Sequence, residues 1–219
     1  MGSQLVQIIV LAGVALFLVL RLRNVLGTRD GFEPTVKPTP RAKKGKRKFE
    51  VIDGGGDDRD ISDHIDVDSD AGKALLFMKK VEPAFSVTEF SNGARQAYEM
   101  ILMAFENGDQ DFLKQYLSTD VFKTFAQVIV DRADKGLTVE ATFIGVRSVT
   151  IKDANFADDT NEAEITMKFV GELTSAVRDS DGEIIEGDAT AVKRQTDVWT
   201  FARTMGGDNP NWLLVGTGA

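Results

Sequence analysis

The sequence contains no cysteine, and its single histidine is His64. Without cysteine the chain can form no disulfide, thiolate nucleophile or sulfur-ligated metal site. A serine–histidine–aspartate triad or a histidine-rich metal site would have to be built around His64, which lies in an acidic stretch of low complexity. We therefore expect a protein that is not an enzyme and that has no metal ion and no cofactor.

Charge is missing from the first twenty positions of the chain. The segment from Ser3 to Leu20 has one polar side chain, Gln7, after its first two residues. As a helix it would span about 27 Å, close to the roughly 30 Å hydrocarbon core of a bilayer. Arg21 and Arg23 follow the segment and no basic residue precedes it, so residues 1–27 are predicted to form an uncleaved anchor whose carboxyl side faces the cytoplasm.

Two other interpretations of this apolar segment are weaker. A secretory signal peptide places basic residues before its apolar run and small residues after it, which is the reverse of the order here. A buried core helix has its apolar residues on one face, whereas they surround this segment on all sides. The membrane anchor remains the preferred interpretation.

Basic and acidic residues are segregated along the chain. Residues 1–50 hold ten lysines and arginines against three acidic residues, a net charge of +7, whereas the remainder holds 16 against 31, a net charge of −15. Near a cytoplasmic membrane face, each basic charge gains about 1 kcal/mol from anionic lipid. The predicted membrane-binding residues are Arg21, Arg23, Arg41, Lys43, Lys44, Lys46, Arg47 and Lys48.

The same residues also fit a solvated linker, because charges and the prolines at 34, 38 and 40 keep a chain extended. Pairing of the basic block with the acidic block is a further alternative. Nucleic acid is not an expected partner, since the cluster lacks interleaved aromatics and the acidic remainder would repel phosphate. We expect residues 28–73 to be a disordered linker, first basic and then acidic.

Asp66, Asp68 and Asp70 have the D-x-D-x-D spacing of an EF-hand calcium loop. The sixth position of such a loop needs glycine and the twelfth needs glutamate, but these positions are Ala71 and Phe77. The calcium interpretation therefore fails, and the stretch is assigned to the linker.

Residues 74–219 are predicted to form one α+β domain. Ser86 followed by Glu89 is a capping box, and apolar residues then recur at helical spacing as far as Gly108. Asp109 and Ser118 are N-cap residues for two more helices. After residue 136 the period changes to two, which indicates antiparallel strands with a turn at residues 181–182. We expect a cone of helices packed on a curved antiparallel sheet.

One predicted strand, residues 163–174, alternates clearly between apolar and polar side chains. Its apolar side holds Ala163, Ile165, Met167, Phe169 and Leu173, and its polar side holds Glu164, Thr166, Lys168, Glu172 and Thr174.

The predicted sheet could enclose a pocket lined by Phe169, Trp199, Phe201 and Trp212, although aromatics at strand spacing are more often part of the core. Asp197 is predicted on the same side as Trp199 and Phe201, which makes it the one candidate for a buried general base. Its alternative is a carboxylate at a strand edge, near an arginine at 194 or 203.

Over the whole domain, from about Phe85 onward, the chain resembles the Tim44-like family, including its bacterial TimA-type inner-membrane members. No single dipeptide is specific to this family, but the order and spacing of the motifs along the chain are specific to it. The motifs are Ala94-Arg95, Ala97-Tyr98, Ile101-Leu102, Ala104-Phe105, Gly108-Asp109, Val121-Phe122, Phe125, Arg132, Gly187-Asp188, Asp197, Trp199-Thr200-Phe201, Arg203 and Pro210-Asn211-Trp212.

The resemblance implies a nuclear-transport-factor-two-like cone with an apolar pocket. It also implies a non-enzymatic adaptor at the inner membrane, associated with anionic lipid such as cardiolipin. The long helical region that precedes the domain in the mitochondrial member is replaced here by the charged linker, so chaperone recruitment is not carried over. No mitochondrial presequence is visible, which favours a bacterium.

We therefore expect a single-pass protein of the bacterial inner membrane with its domain in the cytoplasm. It would bind a protein partner, anionic lipid or both, and would serve protein translocation or membrane-protein assembly. The alternative is a small-molecule-binding or isomerase/cyclase-like enzyme that uses the cone pocket, with Asp197 as base.

Overall fold

The computed structural model describes residues 58–218, and in this part of the chain five helices precede four strands. This order confirms the predicted α+β class. The helices are α1 (Arg59–Ser62), α2 (Asp70–Val81), α3 (Val87–Glu106), α4 (Gln110–Tyr116) and α5 (Thr119–Asp134). The strands are β1 (Thr138–Ala157), β2 (Glu162–Arg178), β3 (Ile184–Thr204) and β4 (Leu213–Gly218).

The three helices that the sequence predicts begin at the predicted caps. The side chains of Ser86, Asp109 and Ser118 each accept a hydrogen bond from the backbone N–H three residues on, at 3.2, 3.0 and 3.4 Å. These bonds satisfy N–H groups that have no partner inside the helix. Gly108 (φ 72°) and Gly136 (φ 64°) follow α3 and α5 in the left-handed conformation that commonly ends a helix.

The four strands form one antiparallel sheet in the order β1-β2-β3-β4. The first three strands are 20, 17 and 21 residues long, whereas strands usually have about 5–6 residues. Three register shifts interrupt the pairing of β1 with β2, and two interrupt that of β2 with β3. Each shift bends its strand, so the long sheet is curved, as predicted.

The largest irregularity is in β3. Between the pairs Ser175↔Asp188 and Leu173↔Lys193, β3 has four residues where β2 has one. We call residues 189–192 the β3 bulge. The strand enters it through Gly187 (φ 79°), where a Cβ atom would lie 2.1 Å from the Ser175 carbonyl oxygen, so glycine is required at this position.

The core lies between the helices and one face of the sheet. The five β2 residues predicted to face inward, Ala163, Ile165, Met167, Phe169 and Leu173, are all at most 4% exposed, which confirms the alternation. Thr174, predicted to face outward, is also buried. The alternation changes phase there because a register shift between β2 and β3 follows Leu173.

The ordered domain begins earlier than the sequence indicated. Part of the segment assigned to the disordered linker, residues 58–73, is helical in α1 and at the start of α2. Ile61 in α1 is fully buried and belongs to the domain core. Burying this side chain stabilises the fold by about 1.5–3 kcal/mol, which helps to order a segment whose composition is otherwise typical of a linker.

Between residues 58 and 218, no helix has both the length and the apolar character needed to cross a membrane. The predicted anchor at residues 1–27 and the predicted membrane-binding side chains from Arg21 to Lys48 lie outside the described residues.

Candidate functional site

The aromatic side chains predicted to line a pocket are part of the domain core. Phe169 is fully buried, and Trp199 and Phe201 are 4% and 2% exposed. Their ring centroids lie 5.9 to 6.4 Å from one another. Trp212 is half-buried and packs on Phe90 of α3, with ring centroids 4.7 Å apart. These contacts favour the core interpretation that the sequence left open.

Tyr98 of α3 occupies the space in front of these rings. It is fully buried, and it stacks on Phe169 with the centroids 4.5 Å apart and the planes within 8° of parallel. Its centroid also lies 4.8 Å from that of Trp199. We call Tyr98, Phe169, Gly171, Gln195 and Asp197 the Tyr98 cluster. Sequence reasoning found Phe169 and Asp197 but missed the role of Tyr98, whose position on the inner helix face was the available signal.

The polar half of the Tyr98 cluster is a closed hydrogen-bond network. The Tyr98 hydroxyl donates to Asp197 Oδ2 at 2.7 Å, and Gln195 Nε2 donates to the same oxygen at 2.7 Å. Burial, followed by the neighbouring Asp197 carboxylate, raises the pKa of Tyr98 well above its ordinary value of 10.0. The hydroxyl therefore stays protonated at neutral pH and acts as a donor.

Gly171 of β2 lets Tyr98 approach the sheet. A Cβ atom at position 171 would lie 2.8 Å from the Tyr98 hydroxyl oxygen and 3.0 Å from its Cε1 atom. The first distance is shorter than real Cβ contacts and the second is tighter than most of them, so the buried ring and the glycine depend on each other.

These contacts favour a structural role for Asp197. It makes neither of the arginine contacts considered from the sequence, because Arg194 pairs with Glu172 at 3.1 Å and Arg203 with Glu82 at 2.9 Å. A general base needs a substrate proton within hydrogen-bond reach, but two side chains of the protein already donate to Asp197 Oδ2. The Tyr98 cluster is suited to holding α3 against the sheet.

A shallow depression of about 390 Å³ lies on the surface near the β1–β2 turn and the loop before β4. Its lining includes Glu162, Arg203, Asp208 and Asn209, and it includes none of the five predicted pocket residues. In the segment 58–218, no group of three or more histidine, aspartate or glutamate side chains is placed to hold a metal ion.

A second polar cluster joins the start of the domain to two helices. Lys79 Nζ lies 2.8 Å from Asp58 Oδ2 and 3.0 Å from Asp60 Oδ2. Asp60 also accepts hydrogen bonds from the backbone N–H groups of Val87 and Thr88, at 2.8 and 2.9 Å. Partial burial opposes ionisation, but these donors and Lys79 together hold the pKa of Asp60 well below its ordinary value of 3.8. Asp60, which the sequence assigned to the linker, thus acts as an additional cap at the N-terminus of α3.

The outward side of α2 combines apolar and basic side chains. Leu76, Phe77 and Val81 are 38%, 42% and 38% exposed. Lys73 and Lys80 lie on the same side of the helix and are exposed; Lys73 makes a long, exposed contact of 4.0 Å with Asp70. We call Lys73, Leu76, Phe77, Lys80 and Val81 the α2 outward face.

Helices packed against a curved four-stranded antiparallel sheet define a protein of the α+β class. Residues 71–219 match the model of the Tim44-like domain family, and the chain therefore belongs to this family. The resemblance noted from the motifs is confirmed, and the match begins earlier than Phe85.

Two curated proteins are similar to this chain. The human mitochondrial import inner membrane translocase subunit TIM44 is 25% identical over 150 residues, which are 67% of this chain and 33% of the human protein. The Arabidopsis thaliana subunit TIM44-1 is 21% identical over 143 residues, which are 65% of this chain and 30% of the plant protein. The matched region is thus about a third of the length of these relatives.

Among solved structures, the intermembrane space region of the chloroplast protein ARC6 matches with a TM-score of 0.37 and 12% identity. The match covers 57% of this chain and 94% of that one.

Proposed function

We propose that this protein is a membrane-tethered, non-enzymatic adaptor of the bacterial inner membrane. Its Tim44-like domain lies in the cytoplasm, where it contacts anionic lipid and binds a protein partner in translocation or membrane-protein assembly. The family membership supports this assignment, because the human and plant relatives are named as subunits of an inner membrane translocase. The observation that carries the lipid contact is the α2 outward face.

Single exposed apolar residues are normal on a protein surface, but this face holds three of them within two helical turns. A helix that lies on a membrane has apolar side chains, often aromatic, on the side toward the lipid and lysines beside them. Leu76, Phe77 and Val81 supply the apolar contact. Lys73 and Lys80 add about 1 kcal/mol each near an anionic surface.

On its own this contact would give only weak and reversible membrane binding, because stable attachment takes two signals. The second signal in the proposal is the anchor at residues 1–27, supported by the length of its apolar run. The basic residues from Arg41 to Lys48 would add further attraction to anionic lipid, with Arg21 and Arg23 at the membrane surface. Lipid attachment would leave other surfaces of the domain free for the protein partner.

The alternative proposal, an isomerase- or cyclase-like enzyme with Asp197 as base, receives less support. Its one favourable observation is the 2.7 Å contact between Asp197 and a tyrosine. The raised pKa of Tyr98 opposes proton transfer from this tyrosine near neutral pH. The aromatic residues around it pack against each other in the core.

Vesicle binding tests the lipid contact. The fragment Gly54–Ala219, which forms a compact unit with its own core, should sediment with vesicles containing anionic lipid and much less with purely zwitterionic vesicles. Phe77→Ser and the pair Lys73→Glu/Lys80→Glu should each weaken this binding at least about tenfold. The matched controls are Ile144→Ser and Lys152→Glu, which alter exposed side chains on β1. Equal binding by all variants, or no binding by the fragment, would reject the α2 outward face as a lipid contact.

Crosslinking and pull-down from native membranes test the adaptor. The full chain and a chain without residues 1–50 are compared. If both recover the same partner, the anchor only localises the protein; if neither recovers any partner, the adaptor proposal fails.

A further inference from the structure

One edge of β3 is open within residues 58–218. The strand pairs with β2 along one side, but its pairing with β4 begins only at Val198↔Gly218. Residues 184–197 therefore have a strand partner on one side only in the described part of the chain. An open strand edge presents unpaired backbone groups that can pair with another strand.

The open edge also exposes large apolar side chains. Ile184, Ile185 and Val192 are 45%, 53% and 56% exposed. The β3 bulge divides the edge into two short segments, residues 184–188 and 193–197. The Asp188 carboxylate accepts hydrogen bonds from the backbone N–H groups of Thr190 and Ala191, at 2.7 and 3.2 Å. These two N–H groups are therefore already satisfied within the chain. Pairing with another strand is left to the two segments.

The two segments carry opposite charge. Glu186 and Asp188 lie in the first, and the second holds Lys193, Arg194 and Asp197, a net charge of +1. Arg194 pairs with Glu172 and Asp197 accepts a hydrogen bond from Tyr98, so Lys193 is the charge of the second segment that faces a partner strand. Among the described residues, neither Glu186 nor Lys193 has an ion-pair partner within 4.0 Å. In an antiparallel pair related by a two-fold axis, the first segment of each copy lies beside the second segment of the other. Opposite charges then meet twice, once on each side of the axis.

We propose that this open edge binds a second copy of the same chain, with the two β3 edges antiparallel across a two-fold axis. The acidic first segment of one copy would face the basic second segment of the other copy, and this charge complementarity favours a second copy over an unrelated strand. The pairing closes after two copies, because each copy uses both of its segments in the one interface. The bulge limits the length of each paired segment and so opposes open-ended stacking of sheets.

Charge reversal tests this self-association. The full chain in detergent should show a concentration-dependent dimer mass by size-exclusion chromatography with light scattering. Glu186→Lys alone and Lys193→Glu alone should each weaken the dimer at least about tenfold, because like charges then meet on both sides of the axis. Asp159→Lys and Lys152→Glu make the same charge changes at exposed positions away from the edge and should leave the dimer intact.

Mixing the two variants separates a lost interface from a damaged fold. When Glu186→Lys and Lys193→Glu proteins are combined, lysine meets glutamate at both contacts, so a mixed dimer should form with close to the wild-type affinity. A wild-type chain that stays monomeric would overturn the proposal. A dimer insensitive to both reversals, or variants that fail to associate when mixed, would also overturn it.

Discussion

The Tyr98 hydroxyl donates to Asp197 Oδ2 at 2.7 Å, joining the middle of α3 to β3 across 99 positions of sequence. Gln195 donates to the same carboxylate oxygen, so two donors hold the charge of this partly buried side chain beside the aromatic core. A partly buried carboxylate loses some of its hydration, and hydrogen bonds from protein donors replace it. This pair therefore fixes where α3 crosses the sheet, a role that needs no substrate.

Tyr98→Phe tests the strength of this contact, because it removes the hydroxyl and keeps the ring stacked on Phe169. We expect the free energy of unfolding of the fragment Gly54–Ala219 to fall by about 1.5–3 kcal/mol, the range for a hydrogen bond to a charged group. Urea denaturation followed by circular dichroism measures the change. Tyr116→Phe is the matched control, because this tyrosine is half-buried and stacks on Phe112. Removing its hydroxyl should change the free energy of unfolding by no more than about 0.5 kcal/mol. Equal effects of the two substitutions would contradict the role given to Asp197.

Gly171→Ala should also destabilise the fold, because Gly171 of β2 lies against the Tyr98 ring. The new Cβ atom would lie 2.8 Å from the Tyr98 hydroxyl oxygen, and relieving that overlap should cost about 1–3 kcal/mol. Gly145→Ala in β1 is the control, because no atom lies within 4 Å of its Cβ position. This substitution should be neutral or should stabilise the fold by up to about 1 kcal/mol, because alanine lowers the conformational entropy of the unfolded chain. The same urea series compares them, and a harmless Gly171→Ala would show that Tyr98 is free to move.

Local signals in the sequence were sufficient for α3, α4 and α5 and for most of the sheet. Ser86, Asp109 and Ser118 could be recognised as caps because a cap is a contact over three residues. The alternation in β2 was recognisable because one face of that strand is buried along most of its length. The match between pattern and structure is best where the determining contact is local.

Sequence reasoning failed where a distant contact decides the structure. The pattern that places Asp197, Trp199 and Phe201 on one side marks only the second half of β3, because the first half of this strand is largely exposed and shows no alternation. Tyr98 and Asp197 were both visible in the sequence, but nothing local indicates that they meet. The linker boundary was placed at residue 73 because the acidic composition hid the contact of Asp60 with α3.

Asp60→Ala should show how much that contact stabilises the domain. It removes the acceptor for the N–H groups of Val87 and Thr88 and one partner of Lys79. We expect the free energy of unfolding to fall by about 1–3 kcal/mol, from a lost helix cap and a lost charged hydrogen bond. Asp63→Ala, three residues on and exposed, is the control and should be nearly neutral. If both substitutions are neutral, the contact of Asp60 with α3 and Lys79 does not stabilise the domain.

The pH dependence of the Asp60 contact gives a second, independent test, with Asp60→Asn as the variant that removes only the charge. The pKa of Asp60 in the folded protein lies below its ordinary value of 3.8, so the unfolded chain takes up a proton first as the pH falls. The stability that the carboxylate contributes is therefore fully present above pH 3.8 and is lost as the pH falls toward the folded pKa. The difference in unfolding free energy between wild type and Asp60→Asn should stay constant from about pH 7 to about pH 5 and shrink below about pH 4. Other carboxyl groups titrate in both proteins and cancel in the difference. A difference that is unchanged down to about pH 2 would show that the Asp60 charge does not stabilise the fold.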